Sequence, residues 1–174
     1  MHEIFIQTDD QRAIIETVQR FVAEEVTPRA AELDANTNPE DSYSWEIVEK
    51  AHEVGIRQMT LNEEYGGLGT DSLTTSMVIE ELGKGDLGVS VIFAQTLKIA
   101  QIMQAALNEE QRNRVLPNFA EDPRGMLGIG ITEPDNASNY FIPHPTPFRT
   151  SAEKVEGGWV VNGMKHFISN GNRS

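Results

Sequence analysis

The stretch Gly128-Ile129-Gly130-Ile131-Thr132-Glu133-Pro134-Asp135-Asn136-Ala137-Ser138 divides the chain into two halves of different periodicity. It reads as a strand that breaks at Pro134 into a loop of small polar residues. Proline removes a ladder donor, while Asp135, Asn136 and Ser138 bring short side chains and backbone N–H groups, the chemistry that lets a loop approach a phosphate closely. Such a junction is common in isolation, so its meaning depends on what flanks it.

Upstream the period is helical. Thr8 with Gln11 forms a capping box, Asp9 and Asp10 favour the positive end of the helix they open, and Ile14, Ile15, Val18, Phe21, Val22 and Val26 recur at helical spacing. This helix runs to about Leu33, with a bend or break near Pro28. Ser44 caps a second, shorter helix that ends at Gly55, with His52 on its surface or at the edge of the core. Leu61 to Gly69 is a glycine-rich turn that follows no strand and carries no phosphate-loop lysine, so it has no nucleotide role. Asp71 or Ser72 opens the next helix, which stops at Gly83 or Gly85. Leu87 to Leu107 is apolar nearly all round, the pattern of a helix buried at the centre of a bundle. Asn108 and Gln111 form a second box, and their helix runs to about Glu121 through Pro117.

Downstream the period becomes strand-like. Met126–Thr132 and Arg149–Val155 read as strands, Gly157-Gly158 as a turn into Trp159-Val160-Val161, and Asn162-Gly163 as a hairpin turn into Lys165–Ser169. The expected fold class is therefore α+β: an all-α helical bundle over 1–124, followed by an incomplete antiparallel β domain over 125–174. A meander of about four strands with open edges needs closure or cover, so a longer parent protein is expected.

Bulk composition narrows the chemistry. A net charge of −13 over 174 residues argues against nucleic acid or anionic lipid as a partner. No cysteine is present, and His2, His52, His144 and His166 show no ligand spacing, so no metal site is expected. The amino terminus has no secretory pattern, and no run approaches membrane-spanning length; a cytoplasmic protein without membrane insertion is expected.

The helical half, the Ile131-Thr132-Glu133-Pro134 strand end, the small-residue loop and the run from Gly158 to Gly171 together resemble the acyl-CoA dehydrogenase family, as does the turn Glu64-Tyr65-Gly66-Gly67-Leu68-Gly69. The resemblance extends over essentially the whole chain. It implies an N-terminal helical domain, a central β domain and a C-terminal four-helix domain. It also implies FAD as cofactor, an acyl-CoA substrate oxidised at its α,β-carbons, an electron-transfer flavoprotein or similar acceptor, and a homo-oligomer, tetramer or dimer, in the full-length protein. By family pattern Ile131 and Thr132 line the flavin ring, Phe167 packs against it, and Ser169 hydrogen-bonds near the hydride-accepting nitrogen. Ser138 contacts a pyrophosphate of flavin or CoA, and Ser90, Val91 and Ala94 line the acyl pocket. Hydroxyl and amide donors suit such a ring because hydride transfer leaves negative charge on it. No residue here is assigned as the catalytic base, which by family pattern lies beyond Ser174; Glu133 alternates with Thr132 and is expected to point away from the flavin. This chain alone is expected to be inactive.

Departures from the family pattern are local. Ala137-Ser138-Asn139 stands where a Gly-Ser-Asp run is usual, Phe167 where tryptophan is commoner, and Ser169 where threonine is. The segment 139–148, with prolines at 143, 145 and 147, is longer than the usual connection and is expected to be stiff, reshaping the site entrance or a subunit contact. Two other readings remain open at this level: an acyl-CoA-oxidase-like or flavin monooxygenase relative on the same fold, and a non-catalytic helical interaction subunit.

Overall fold

A computed structural model describes residues 8–137 and 147–174. The chain forms two compact units, Met1–Leu127 and Gly128–Ser174.

The first unit is all-α. Thr8 and Gln11 close their capping box at the start of α1 (Asp9–Phe21). A π-helical turn, Val22–Val26, then hands over to α2 (Thr27–Ala35), with Pro28 in its first turn. The break thus precedes the proline, which occupies the helix start where its missing donor costs nothing. Thr27 N–H reaches back five residues to Val22 O. This wide turn rotates Val22 and Val26 into the core, where both are buried, and places Glu25 between Arg29 and Lys50 at 2.9 and 3.0 Å. The Lys50 ammonium holds the Glu25 carboxyl below its ordinary range.

Ser44 caps α3 (Trp45–Glu53), and Asp71 caps α4 (Ser72–Gly85). Asp86 alone joins α4 to α5 (Leu87–Ala106): its N–H caps Leu82 O, and its carboxylate accepts from Val89 N–H at 2.7 Å. Asn108 and Gln111 form the second box, opening α6 (Glu109–Glu121).

Helix α5 is not buried all round. Phe93, Leu97 and Ala100 are fully enclosed, whereas Leu87 is 73% exposed, Val91 46% and Ile102 42%. One flank packs on α4 and another on α6, and no described residue of this unit covers the third. Its 20 residues are long and apolar enough to cross a bilayer by length and composition, contrary to the expectation that no run approaches that length.

Gly85 faces the π turn closely: a Cβ there would lie 2.7 Å from Val22 Cγ1 and 3.1 Å from Val26 Cγ1. In Gly85→Ala, a gain of about 1 kcal/mol in helix propensity opposes an overpacking cost of about 1–3 kcal/mol. Valine is stiff at χ1, so the clash wins, and thermal unfolding is expected to show a net loss of about 1 kcal/mol that Val22→Ala recovers in part. A more stable Gly85→Ala variant would overturn this packing account.

The second unit holds one hairpin, β1 (Ser151–Val155) and β2 (Gly158–Asn162), antiparallel, with Ser151 opposite Asn162 and Val155 opposite Gly158. Its turn is Glu156-Gly157, with Gly157 at φ +83°, so Gly158 belongs to the strand rather than to the turn. Two expected strands do not form. Met126–Thr132 forms no strand: among the described residues a single backbone–backbone bond, His166 N to Thr132 O at 3.0 Å, joins it to the other expected strand. Lys165–Ser169 is interrupted by Phe167 at φ +55°, a left-handed conformation no strand can contain. Asn162-Gly163 makes no hairpin turn. Gly163 instead lets the chain pass Thr150, whose Cα would lie 2.6 Å from an added Cβ.

Candidate functional site

The junction around Pro134 is a tight turn, Glu133-Pro134-Asp135-Asn136, closed by Glu133 N to Asn136 O at 2.8 Å and Asn136 N to Glu133 O at 3.2 Å. Proline presets φ at the second position, and the short Asp side chain suits the third. This turn drives the Glu133 side chain inward, where the residue is 4% exposed. Its carboxylate accepts from Arg149 N at 2.6 Å, from Thr150 N at 3.0 Å and from Lys165 Nζ at 2.8 Å. Lys165 Nζ also donates to Ile131 O at 2.9 Å and lies 4.6 Å from the Phe148 ring centre.

The Lys165 ammonium, helped by Thr150 and the Arg149 amide, holds the Glu133 carboxyl down at about 2 from an ordinary 4.5. The folded value lies below the unfolded one, so the stabilisation is complete above about pH 4.5 and is lost as pH falls toward 2. Acid unfolding of this unit, followed by Trp159 fluorescence, is expected to be steepest in that window and to flatten there in Glu133→Gln. An equal slope in both proteins would count against the pairing.

Three of the family-pattern residues, Thr132, Phe167 and Ser169, lie on two segments joined by the bond from His166 N to Thr132 O. Thr132 is half-buried, and neither its hydroxyl nor its N–H bonds to another described residue, while its carbonyl is taken by His166 N. Phe167 is 87% exposed, its ring 4.2 Å from that of His166. Ser169 is exposed with its hydroxyl unbonded among the described residues. Ile131 is half-buried, its carbonyl held by Lys165. Ser138, with most of the 139–148 segment including His144, lies outside the described residues.

In the helical unit, Ser90 is buried and donates to Ile79 O at 2.9 Å, so its proton is spent on holding α5 to α4. Val91 and Ala94 lie further round the helix toward the uncovered flank, exposed and half-exposed respectively.

Arg57 is a feature that sequence reasoning missed. It is fully buried, with Nη1 donating to Gly125 O and Nη2 to Ala120 O, both at 2.9 Å; Nη2 also contacts His52 Nδ1 at 2.9 Å, and the guanidinium carbon lies 4.6 Å from the Phe119 ring centre. Burial lowers its pKa to about 10. A lone arginine after a helix end carries no local sign of this role. The described residues hold no cluster of three or more potential metal ligands.

The profile of the acyl-CoA dehydrogenase N-terminal domain matches residues 8–122. The chain is 30% identical over 168 residues to a probable medium-chain specific acyl-CoA dehydrogenase of Caenorhabditis briggsae, covering 96% of this chain and 38% of that protein. Among solved structures it resembles glutaryl-CoA dehydrogenase of Mycobacterium smegmatis in complex with FADH2, with a TM-score of 0.78 and 28% identity over 97% of this chain and 41% of the other. It also resembles a chain solved in work on the electron transferring flavoprotein of Acidaminococcus fermentans, with a TM-score of 0.84 and 26% identity over 98% and 42%.

Proposed function

The chain belongs to the acyl-CoA dehydrogenase family, and on that premise we propose that the protein carrying it oxidises an acyl-CoA thioester at the α,β-carbons with FAD as hydride acceptor. The observation that carries this reading is a set of uncommitted groups on two hydrogen-bonded segments: a hydroxyl and N–H at residue 132 without a described partner, a hydroxyl at Ser169 likewise, and an exposed aromatic face at Phe167. These groups fit a flavin, whose ring has a polar edge that gains negative charge on reduction and a flat face that stacks. FAD when bound supplies the two-electron acceptor.

The roles of this chain's residues follow. Thr132 donates to the polar edge, Phe167 packs on the ring and shields it from water, Ser169 donates near the hydride-accepting nitrogen, and Ile131 supplies apolar lining. Ser138 contacts a pyrophosphate. Val91 and Ala94 line the acyl pocket, with Ser90 anchoring the helix behind them. Glu133 is unsuited to serve as base, because a locked carboxylate with a pKa of about 2 has little affinity for an α-proton; we assign the base to a residue outside this chain. An electron-transfer flavoprotein as acceptor, a homo-oligomeric state and a cytoplasmic location complete the proposal.

The test uses the full-length protein reconstituted with FAD. Anaerobic addition of acyl-CoA thioesters is expected to bleach the flavin, and the reduced protein is expected to react slowly with oxygen. Rapid reoxidation would replace the dehydrogenase with an oxidase or monooxygenase. A protein without FAD affinity would overturn the reading.

A further inference from the structure

Within the unit 128–174, three consecutive residues are fastened by two others. Lys165 Nζ takes Ile131 O at 2.9 Å and the Glu133 carboxylate at 2.8 Å, while His166 N takes Thr132 O at 3.0 Å. Thr132 is thus held from the residue before it, the residue after it and its own carbonyl, leaving its N–H and hydroxyl as the groups without a described partner. The same two fastening residues lead directly into Phe167, whose backbone is held at φ +55°. A left-handed phenylalanine is strained and persists only where its surroundings over-determine it.

We propose that Glu133 and Lys165 are a positioning pair for the cofactor site, setting Thr132 in register with Phe167 and Ser169 so that their donors and ring face meet one flat ligand together. The proposal rests on the flavin reading above. An ion pair with its carboxylate buried is a poor device for stability alone, since desolvation offsets much of its attraction. It is a good device for register: the carboxylate bonds three donors from two segments, and the ammonium cannot leave it without also releasing Ile131. Glu133 touches neither substrate nor cofactor in this scheme; it acts through Thr132, as supporting contacts fix the geometry of a site.

The experiment compares Glu133→Gln, Lys165→Met, the double variant and Lys165→Arg in the full-length protein. FAD affinity is read by flavin titration, the visible flavin band at saturating FAD by absorbance, and exchange of the His166 amide in the apoprotein by mass spectrometry. Each single variant is expected to weaken FAD by about tenfold or more, as misplacement of a positioned group does, and to alter the band shape. The double variant should be no worse than the poorer single, and Lys165→Arg, which keeps a cation, should retain most of the affinity.

A pair with a merely structural role would lower the melting temperature while leaving band shape and affinity of the folded fraction as in the unsubstituted protein, and that outcome overturns the proposal. So would a Lys165→Arg variant as impaired as Lys165→Met. Amide exchange across the β1–β2 hairpin of the same unit, read in the same experiment, separates misfolding from mispositioning. Should the unsubstituted protein bind no FAD, the flavin reading fails, whereas faster His166 exchange in Glu133→Gln still establishes the coupling and unchanged exchange refutes it.

Discussion

Replacing Arg57 by methionine is expected to destabilise the helical unit by about 2–5 kcal/mol, the cost of leaving two buried carbonyl acceptors without their donor. Methionine keeps the unbranched stem and much of the contact with Phe119, so the loss isolates the guanidinium. What it leaves behind are the carbonyls of Ala120, in the last turn of α6, and of Gly125, just past it. Both belong to the backbone and cannot be mutated away, and each orphaned acceptor costs about 1–3 kcal/mol.

The exchange of a buried ion pair for apolar residues, often harmless, is therefore closed to this site. Arg57→Lys should fall between the two, because a single ammonium cannot span acceptors on opposite sides of a planar fork. Urea unfolding monitored by far-UV circular dichroism measures all three proteins. A methionine variant within about 1 kcal/mol of the parent would mean that water replaces the guanidinium and that Arg57 clamps nothing.

Gly67→Ala is expected to cost about 3 kcal/mol or more, at the upper end of overpacking effects. An added Cβ would collide with the carbonyl oxygen of Leu61 and lie 2.6 Å from that of Gln58. These are backbone atoms within a short, interlocked turn, so no rotamer change relieves the contact. Opening the turn breaks Leu68 N to Met59 O, Gly69 N to Leu61 O and Thr70 N to Met59 O, at 3.2, 2.7 and 3.1 Å. It also strains the clip in which Gln104 of α5 accepts from Asn62 N and donates to Thr60 O. Gly69→Ala is the control: nothing lies within 4 Å of its added Cβ, and only its φ of +61° opposes the change. Its loss should be the smaller, about 1–2 kcal/mol. Equal losses would show that conformation rather than space governs the turn.

The helical half was readable because its signals are local. A capping side chain reaches an amide three residues away, so Thr8, Ser44, Asn108 and their partners announce helix starts within a few positions. The hairpin turn was readable nearly as well, displaced by one residue. What escaped depends on distant neighbours. Phe167 is left-handed where its sequence alternates like a strand, and Gly163 serves a passing backbone rather than a turn. The buried arginine finds acceptors 63 and 68 positions away. At the candidate site, Thr132, Phe167 and Ser169 came from a pattern of residue types, whereas the link between Glu133 and Lys165 spans 32 positions and has no local signature.

The junction at Asp86 bears on how this scaffold can be re-engineered. Because one residue ends α4 and starts α5 with a cap on each side, the joint contains no slack in which a tag, a linker or a permuted terminus could be accommodated. The polar connection between α2 and α3, exposed for most of its length, is the place to splice. Grafts made there leave the hairpin of α4 and α5 intact, and with it the uncovered flank that carries Val91.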